Sequence, residues 1–99
     1  MVQFVWEFVV RSDKVGEFER HYSATGTWAE LFRKSPGYRE TILLRDARQP
    51  NRYLTLDRWD DIESRHVMRR KFASEYEEID RMCEAFTEIE KDLGVFEVV

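Results

Sequence analysis

The stretch Arg52-Tyr-Leu-Thr-Leu-Asp-Arg-Trp59 runs without a break into Asp60-Asp-Ile-Glu63, and this abrupt handover is the strongest constraint on the fold. Leu54 and Leu56 alternate with Tyr53, Thr55, Asp57 and Trp59, the period-two pattern of a pleated strand. Asp60 stands three residues before Glu63, the spacing of a capping box that opens a helix. Upstream lie a matching strand, Tyr38–Arg45, and the turn-rich Asp46-Ala-Arg-Gln-Pro-Asn51, so the two strands read as a hairpin.

The rest of the chain supplies the remaining elements. Val2–Val10 alternates Phe4, Trp6 and Phe8 with Val5, Glu7 and Val9 and reads as a first strand. Ser12 is placed to cap a helix in which Val15, Phe18 and Tyr22 recur at spacings of three and four, and Ser23-Ala-Thr-Gly26 interrupts it. Thr27 and Glu30 form a second capping box, for a short helix with Trp28, Leu31 and Phe32 that Ser35-Pro-Gly37 closes. After Asp60 the chain is helical again, with an apolar stripe of Phe72, Tyr76, Ile79 and Cys83 extended by Ala73 and Met82. Ile62, His66 and Met68 fall off that stripe, which predicts a break between Arg70 and Ser74. Thr87–Val98 reads as a long last strand with a bulge or bend at Gly94.

The order β-α-β-β-α-β predicts an α+β fold, a ferredoxin-like antiparallel sheet with both helical regions on one face. Ninety-nine residues leave room for one domain, spanning 1–99. Strand one is apolar on both sides, and a sheet apolar on both faces needs a cover on both. With the helices spent on one face, the expected second cover is another copy of the chain, a homodimer joined through its sheet faces.

Composition removes several classes of function. A net charge of −4 offers no basic surplus for phosphates, so no nucleic-acid partner is expected. No apolar run is long enough to span a bilayer, and no charged leader with an apolar core precedes the first strand, so a cytoplasmic location without membrane contact is expected. A single cysteine, Cys83, fits a reducing compartment. The pair His21 and His66 is too sparse to imply a metal site, and no phosphate loop, HExxH, CxxC or nucleophile elbow is present.

Chemistry has to come from scattered polar groups among aromatics. His66 follows Ile62 by one helical turn and is a candidate general base, with an exposed helix histidine as the alternative. Tyr76 on the inward stripe and Asp57 on the third strand are candidate polar contacts in a catalytic set with His66. Asp57, if buried, needs either a raised pKa or a partner, for which Arg39 or Arg45 on the neighbouring strand is available. Trp28 and Trp59 are candidate flat walls for an aromatic ligand, with a structural plug as the alternative for Trp59. Glu88 and Glu90 read as one solvated face, and Cys83 as a small buried apolar group.

Trp28-Ala-Glu-Leu-Phe32, Ser35-Pro-Gly-Tyr38, Leu43-Leu-Arg-Asp46, Arg52–Trp59 and Leu93-Gly-Val-Phe96 together resemble the antibiotic biosynthesis monooxygenase family of the dimeric α+β barrel superfamily. The resemblance implies an oxygenase that needs no cofactor and no metal, acting on a small aromatic, quinol or polyketide-type substrate held between sheet and helices. It leaves one alternative, a non-catalytic dimeric ligand-binding or accessory protein. The haem-degrading branch of the family has an Asn on its first strand, a Trp in its second helical region and a His ten residues later. Here the first strand has Glu7 and no Asn, the second helical region has no Trp, and the stretch near Tyr76 has no His, so haem chemistry is not expected.

Overall fold

A computed structural model describes residues 1–99. The elements run β1 (Val2–Val10), α1 (Val15–Tyr22), α2 (Thr27–Phe32), β2 (Tyr38–Arg45), β3 (Arg52–Trp59), α3 (Ile62–Lys71), α4 (Ala73–Cys83) and β4 (Thr87–Glu97), with one 3-10 turn at Glu84–Phe86. The four strands order as β2-β3-β1-β4, every neighbour antiparallel, which is the ferredoxin-like sheet. The expected break in the second helical region falls at Phe72, whose backbone (φ −110°, ψ 32°) leaves the helical basin.

Strand pairing decides which side chains share a face. Phe4 lies opposite Asp57, Trp6 opposite Thr55 and Phe8 opposite Tyr53, so these six face one way. The helices cover that side, and Phe8, Val10, Phe18, Tyr22, Leu31, Phe32, Tyr53, Trp59 and Met68 are all buried within it. Aromatic rings carry much of the packing: Phe18 stacks on Tyr22 at 4.2 Å, and Phe8 meets both rings edge-on at 5.2 and 4.9 Å. The other face shows Val5, Val9, Ile42, Leu44, Leu54, Leu56, Ile89 and Phe96, with no element of the chain above them. Leu44, Ile89 and Phe96 are about half exposed there, at 46%, 51% and 52%.

Two glycines sit where a side chain is excluded. Gly37, at φ +89°, ends the turn into β2 with the Ser64 hydroxyl where a Cβ would stand, so the loop and α3 meet at closest approach. Gly94, at φ +116°, adjoins the bulge where β4 slips against Val5 and Trp6, as the sequence predicts.

Several caps differ from expectation. Asp61, not Asp60, caps α3, accepting hydrogen bonds from the Ser64 backbone N–H and hydroxyl at 2.7 Å each. Asp60 is drawn instead to Arg39. Ser12 caps nothing, since α1 begins after Lys14 with no side-chain cap. Thr27 is already helical, behind Gly26, and its hydroxyl hydrogen-bonds His21 Nδ1 at 2.6 Å. Met82, assigned to the apolar stripe, is 44% exposed, because the helix phase set by Phe72, Tyr76 and Cys83 turns it outward.

Candidate active site

Between the helical layer and the sheet lies a partly open cavity of about 320 Å³. Trp6, Phe8, Tyr22, Trp28, Phe32 and Tyr76 form its apolar lining, and Thr41, Thr55, Asp57, Arg65, Asp80 and Glu90 its polar lining. The cavity exists because short strand side chains leave room beneath the helices. Thr41, Thr55 and Asp57 stand on adjacent strands where Tyr53 and Trp59 fill the same face at either end.

The Asp57 carboxyl is strongly perturbed by its burial. Burial pushes its carboxyl up from the ordinary 3.8 to about 6, against the opposing pull of a hydrogen bond from Thr41 and the charge of Arg65. The Thr41 hydroxyl donates to Asp57 Oδ1 at 2.7 Å. With that proton committed, the Tyr38 hydroxyl must be the donor in its 2.7 Å bond to Thr41. The relay Tyr38–Thr41–Asp57 thus holds one carboxylate oxygen and leaves the other to the cavity.

Arg65 faces this carboxylate from α3. Its guanidinium sits 5.3 Å from the Phe4 ring and 5.4 Å from the Tyr76 ring, and one nitrogen donates to the Tyr76 hydroxyl at 3.0 Å. None of the ion pairs of the chain includes it. A cation held by aromatic faces and one phenol, beside a carboxylate near its neutral point, can receive negative charge that builds on a bound molecule. Arg69 lies 4.1 Å from the Tyr76 centroid and fixes that ring further.

The structure brings together three of the expected site residues. Asp57, Tyr76 and Trp28 line the cavity, with Trp28 and Tyr76 in edge contact at 4.8 Å. Trp59 is wholly buried away from it, packed against Phe32 at 5.6 Å and Tyr38 at 5.3 Å, and so fills the core. His66 is exposed on the outer side of α3 and is not among the lining residues. The reason is helical phase: fully buried Met68 sets the inner face, which puts Arg65, three residues earlier, inward and His66 about 100° away from it. Neither Arg39 nor Arg45 serves Asp57, since they pair with Asp60 and Glu19. Arg65 and Thr41 are the site residues that sequence reasoning misses; registering α3 on Met68 and Phe72 is the signal that finds Arg65.

The other marked residues take supporting places. His21 stacks on Phe86 at 5.5 Å, and burial, helped by Arg20, lowers its pKa. Cys83 is buried, and that burial raises its thiol above the usual range, which disfavours the thiolate. Glu90 does not share a simple solvated face with Glu88, for it lines the cavity mouth opposite Phe8. No three His, Cys, Asp or Glu side chains converge as metal ligands do, and no helix is long and apolar enough to cross a membrane.

A four-stranded antiparallel sheet roofed by helices defines a ferredoxin-like α+β protein, here with a partly open cavity between the two layers. The chain belongs to the antibiotic biosynthesis monooxygenase family, whose model matches residues 1–76. Among solved structures it is similar to SnoaB, a cofactor-independent oxygenase from Streptomyces nogalater. A single-residue mutant of that protein superposes with a TM-score of 0.81 at 23% identity, over 98% of this chain and 91% of that one. A candidate antibiotic biosynthesis monooxygenase from Deinococcus radiodurans gives 0.79 at 14% identity, over 100% and 93%. A conserved protein from Methanosarcina mazei Go1 gives 0.74 at 16%, over 99% and 92%. At these identities the likenesses establish the fold. No curated protein matches the chain.

Proposed function

We propose that the protein is a cofactor-independent monooxygenase of a small aromatic, quinol or polyketide-type substrate. The observation that carries this reading is the pairing of Asp57, raised to about 6, with a guanidinium free of ion pairs in a cavity walled by aromatic rings. Family membership and the fold of an oxygenase described as cofactor-independent support it.

The chemistry follows from the lining. A flat substrate such as an anthrone lies against Trp28 and Tyr76 with its acidic CH2 group toward Asp57. Asp57 accepts a proton, and the carbanion delocalises onto the ring oxygen, which Arg65 faces. Dioxygen takes electrons from this carbanion and forms the new C–O bond, and the peroxide is protonated. Loss of water with the second C–H proton leaves a ketone. One oxygen atom of O2 ends in the product and one in water, and both electron pairs come from the substrate itself.

Oxygen uptake with an anthrone or hydroquinone probe tests the reading. We expect one O2 consumed per ketone formed, a loss of about a hundredfold in Arg65→Met, on the scale of a single preorganised charge contact, and near wild-type rates in His66→Ala. Wild-type rates in Arg65→Met would remove the proposed site. Probe binding without turnover in the native protein would instead favour a non-catalytic ligand-binding or accessory role.

The same reading includes a homodimer. Ile42, Leu44, Leu54 and Leu56 form an apolar patch on the uncovered sheet face, flanked by the ion pairs Glu7–Arg52 at 2.6 Å and Glu40–Arg58 at 2.7 Å. An apolar centre with a charged rim is the anatomy of a protein interface. We expect a dimer by light scattering at micromolar concentration, burying roughly 2,000 Å² or more. Leu56→Asp should shift it to monomer; a native monomer at that concentration would overturn the dimer.

A further inference from the structure

The cavity is polarised end to end. Asp57 and Arg65 occupy the corner near Phe4, while Glu90 pairs across from Phe8, four residues further along β1 and thus roughly 13 Å away along the strand. Asp80 lies one helical turn beyond Tyr76 on α4 and also lines this second corner, close enough to Glu90 that its charge, after burial, helps raise the Glu90 pKa. Neither carboxylate takes part in an ion pair, and the guanidinium of the cavity is at the other end. Both lie beyond the stretch that the family model matches.

Three aromatic rings adjoin the two acids. Phe8 and Tyr22 are 4.9 Å apart and Tyr22 and Trp28 6.2 Å, all three lining the cavity. Tyr22 and Trp28 are each only 7% exposed, and the buried Trp28 indole N–H has no well-formed hydrogen bond within the chain. The Tyr22 hydroxyl is turned toward that indole N–H and the Cys83 thiol. The carboxylates do not converge as ligands of a metal ion. Aromatic faces beside carboxylates free of ion pairs are the chemistry that recognises an ammonium group.

We infer that the corner formed by Tyr22, Trp28, Asp80 and Glu90 seats a protonated amine of the substrate. The substrate class is therefore an aromatic molecule bearing a basic amine about 10 Å from the reacting carbon, a span shorter than the separation of the two corners. This assignment rests on the oxygenase reading for the identity of the reacting corner. The amine corner itself can be tested without turnover.

Isothermal titration with 1-naphthylmethylamine and its neutral counterpart 1-naphthalenemethanol, at pH 7, provides the test. The amine is expected to bind at least tenfold more tightly, and the preference should shrink at high salt as carboxylate–ammonium attraction is screened. The amine-to-alcohol affinity ratio should fall to near one in Asp80→Asn/Glu90→Gln, and part of the way in each single variant. Both side chains are at least partly exposed, so folding should survive, which circular dichroism verifies. Equal affinity of the native protein for the two probes overturns the assignment, as does a preference that persists in the double variant. A lost Asp57-dependent turnover with the amine preference intact would instead count against the oxygenase reading alone.

Discussion

Asp57→Asn is expected to abolish most turnover of an anthrone or hydroquinone probe while making the folded protein more stable at neutral pH. The loss should reach about a hundred- to ten-thousandfold in kcat, the range a positioned general base supplies. Native kcat should rise with pH through a limb near 6, where the Asp57 carboxyl ionises, and the variant should lack that limb. The stability effect has the opposite sign to that of a salt-bridged acid. The folded state holds the Asp57 proton up to about 6, whereas the unfolded chain releases it near 3.8. The native protein therefore loses stability as pH rises from about 4 to about 6 and stays at the lower level above that. Each pKa unit corresponds to about 1.4 kcal/mol, so the total is on the order of 2–3 kcal/mol. Urea titrations at pH 4 and pH 7.5 should show Asp57→Asn gaining on the native protein only at the higher pH. An equal offset at both values would mean that the carboxyl is not perturbed by burial.

Trp59→Ala is expected to cost about 3–5 kcal/mol of stability, the toll of deleting a large aromatic from a packed core. Trp59 is wholly buried and its ring touches Phe32 and Tyr38, each in a different element. For a domain this size, such a loss lowers Tm by roughly 15–30 °C, measured at fixed protein concentration. Trp59→Phe should be far milder. It shrinks the side chain but also removes a buried indole N–H that has no hydrogen-bond partner. A Trp59→Ala protein with native Tm but weakened probe binding would return this residue to the cavity wall.

The sheet is readable from the sequence because strand alternation is a short-range signal. Leu54 and Leu56 against Tyr53, Thr55 and Asp57 separate the two faces correctly, and Gly94 marks the bulge where pairing slips. The helix break near Phe72 is equally legible, since the two apolar stripes cannot be joined on one straight helix. Phase is where sequence reasoning fails. A one-residue error in the inner face of α3 puts His66 in the cavity in place of Arg65, because Ile62 invites the wrong registration and is 44% exposed. Caps fail for a related reason. Asp60 and Asp61 are equivalent in sequence, and only the pull of Arg39 on Asp60 decides which of them faces the Ser64 N–H. The Thr41–Asp57 bond joins residues 16 positions apart, and no local pattern announces it.

The break at Phe72 divides the wall above the cavity into two short rods. The first, α3, carries Arg65, and the second, α4, carries Tyr76 and Asp80. One continuous helix would transmit any substitution along its whole length as a change of rotation. Two rods meeting at a non-helical residue uncouple such changes, so α4 can accept new side chains while α3 keeps its phase. Under the proposed reaction, selection can then retune what the chamber admits without disturbing the groups around the reacting carbon. In a directed-evolution library, altered ligand preference should map to residues 76–90, and altered rate per bound molecule to 57–65.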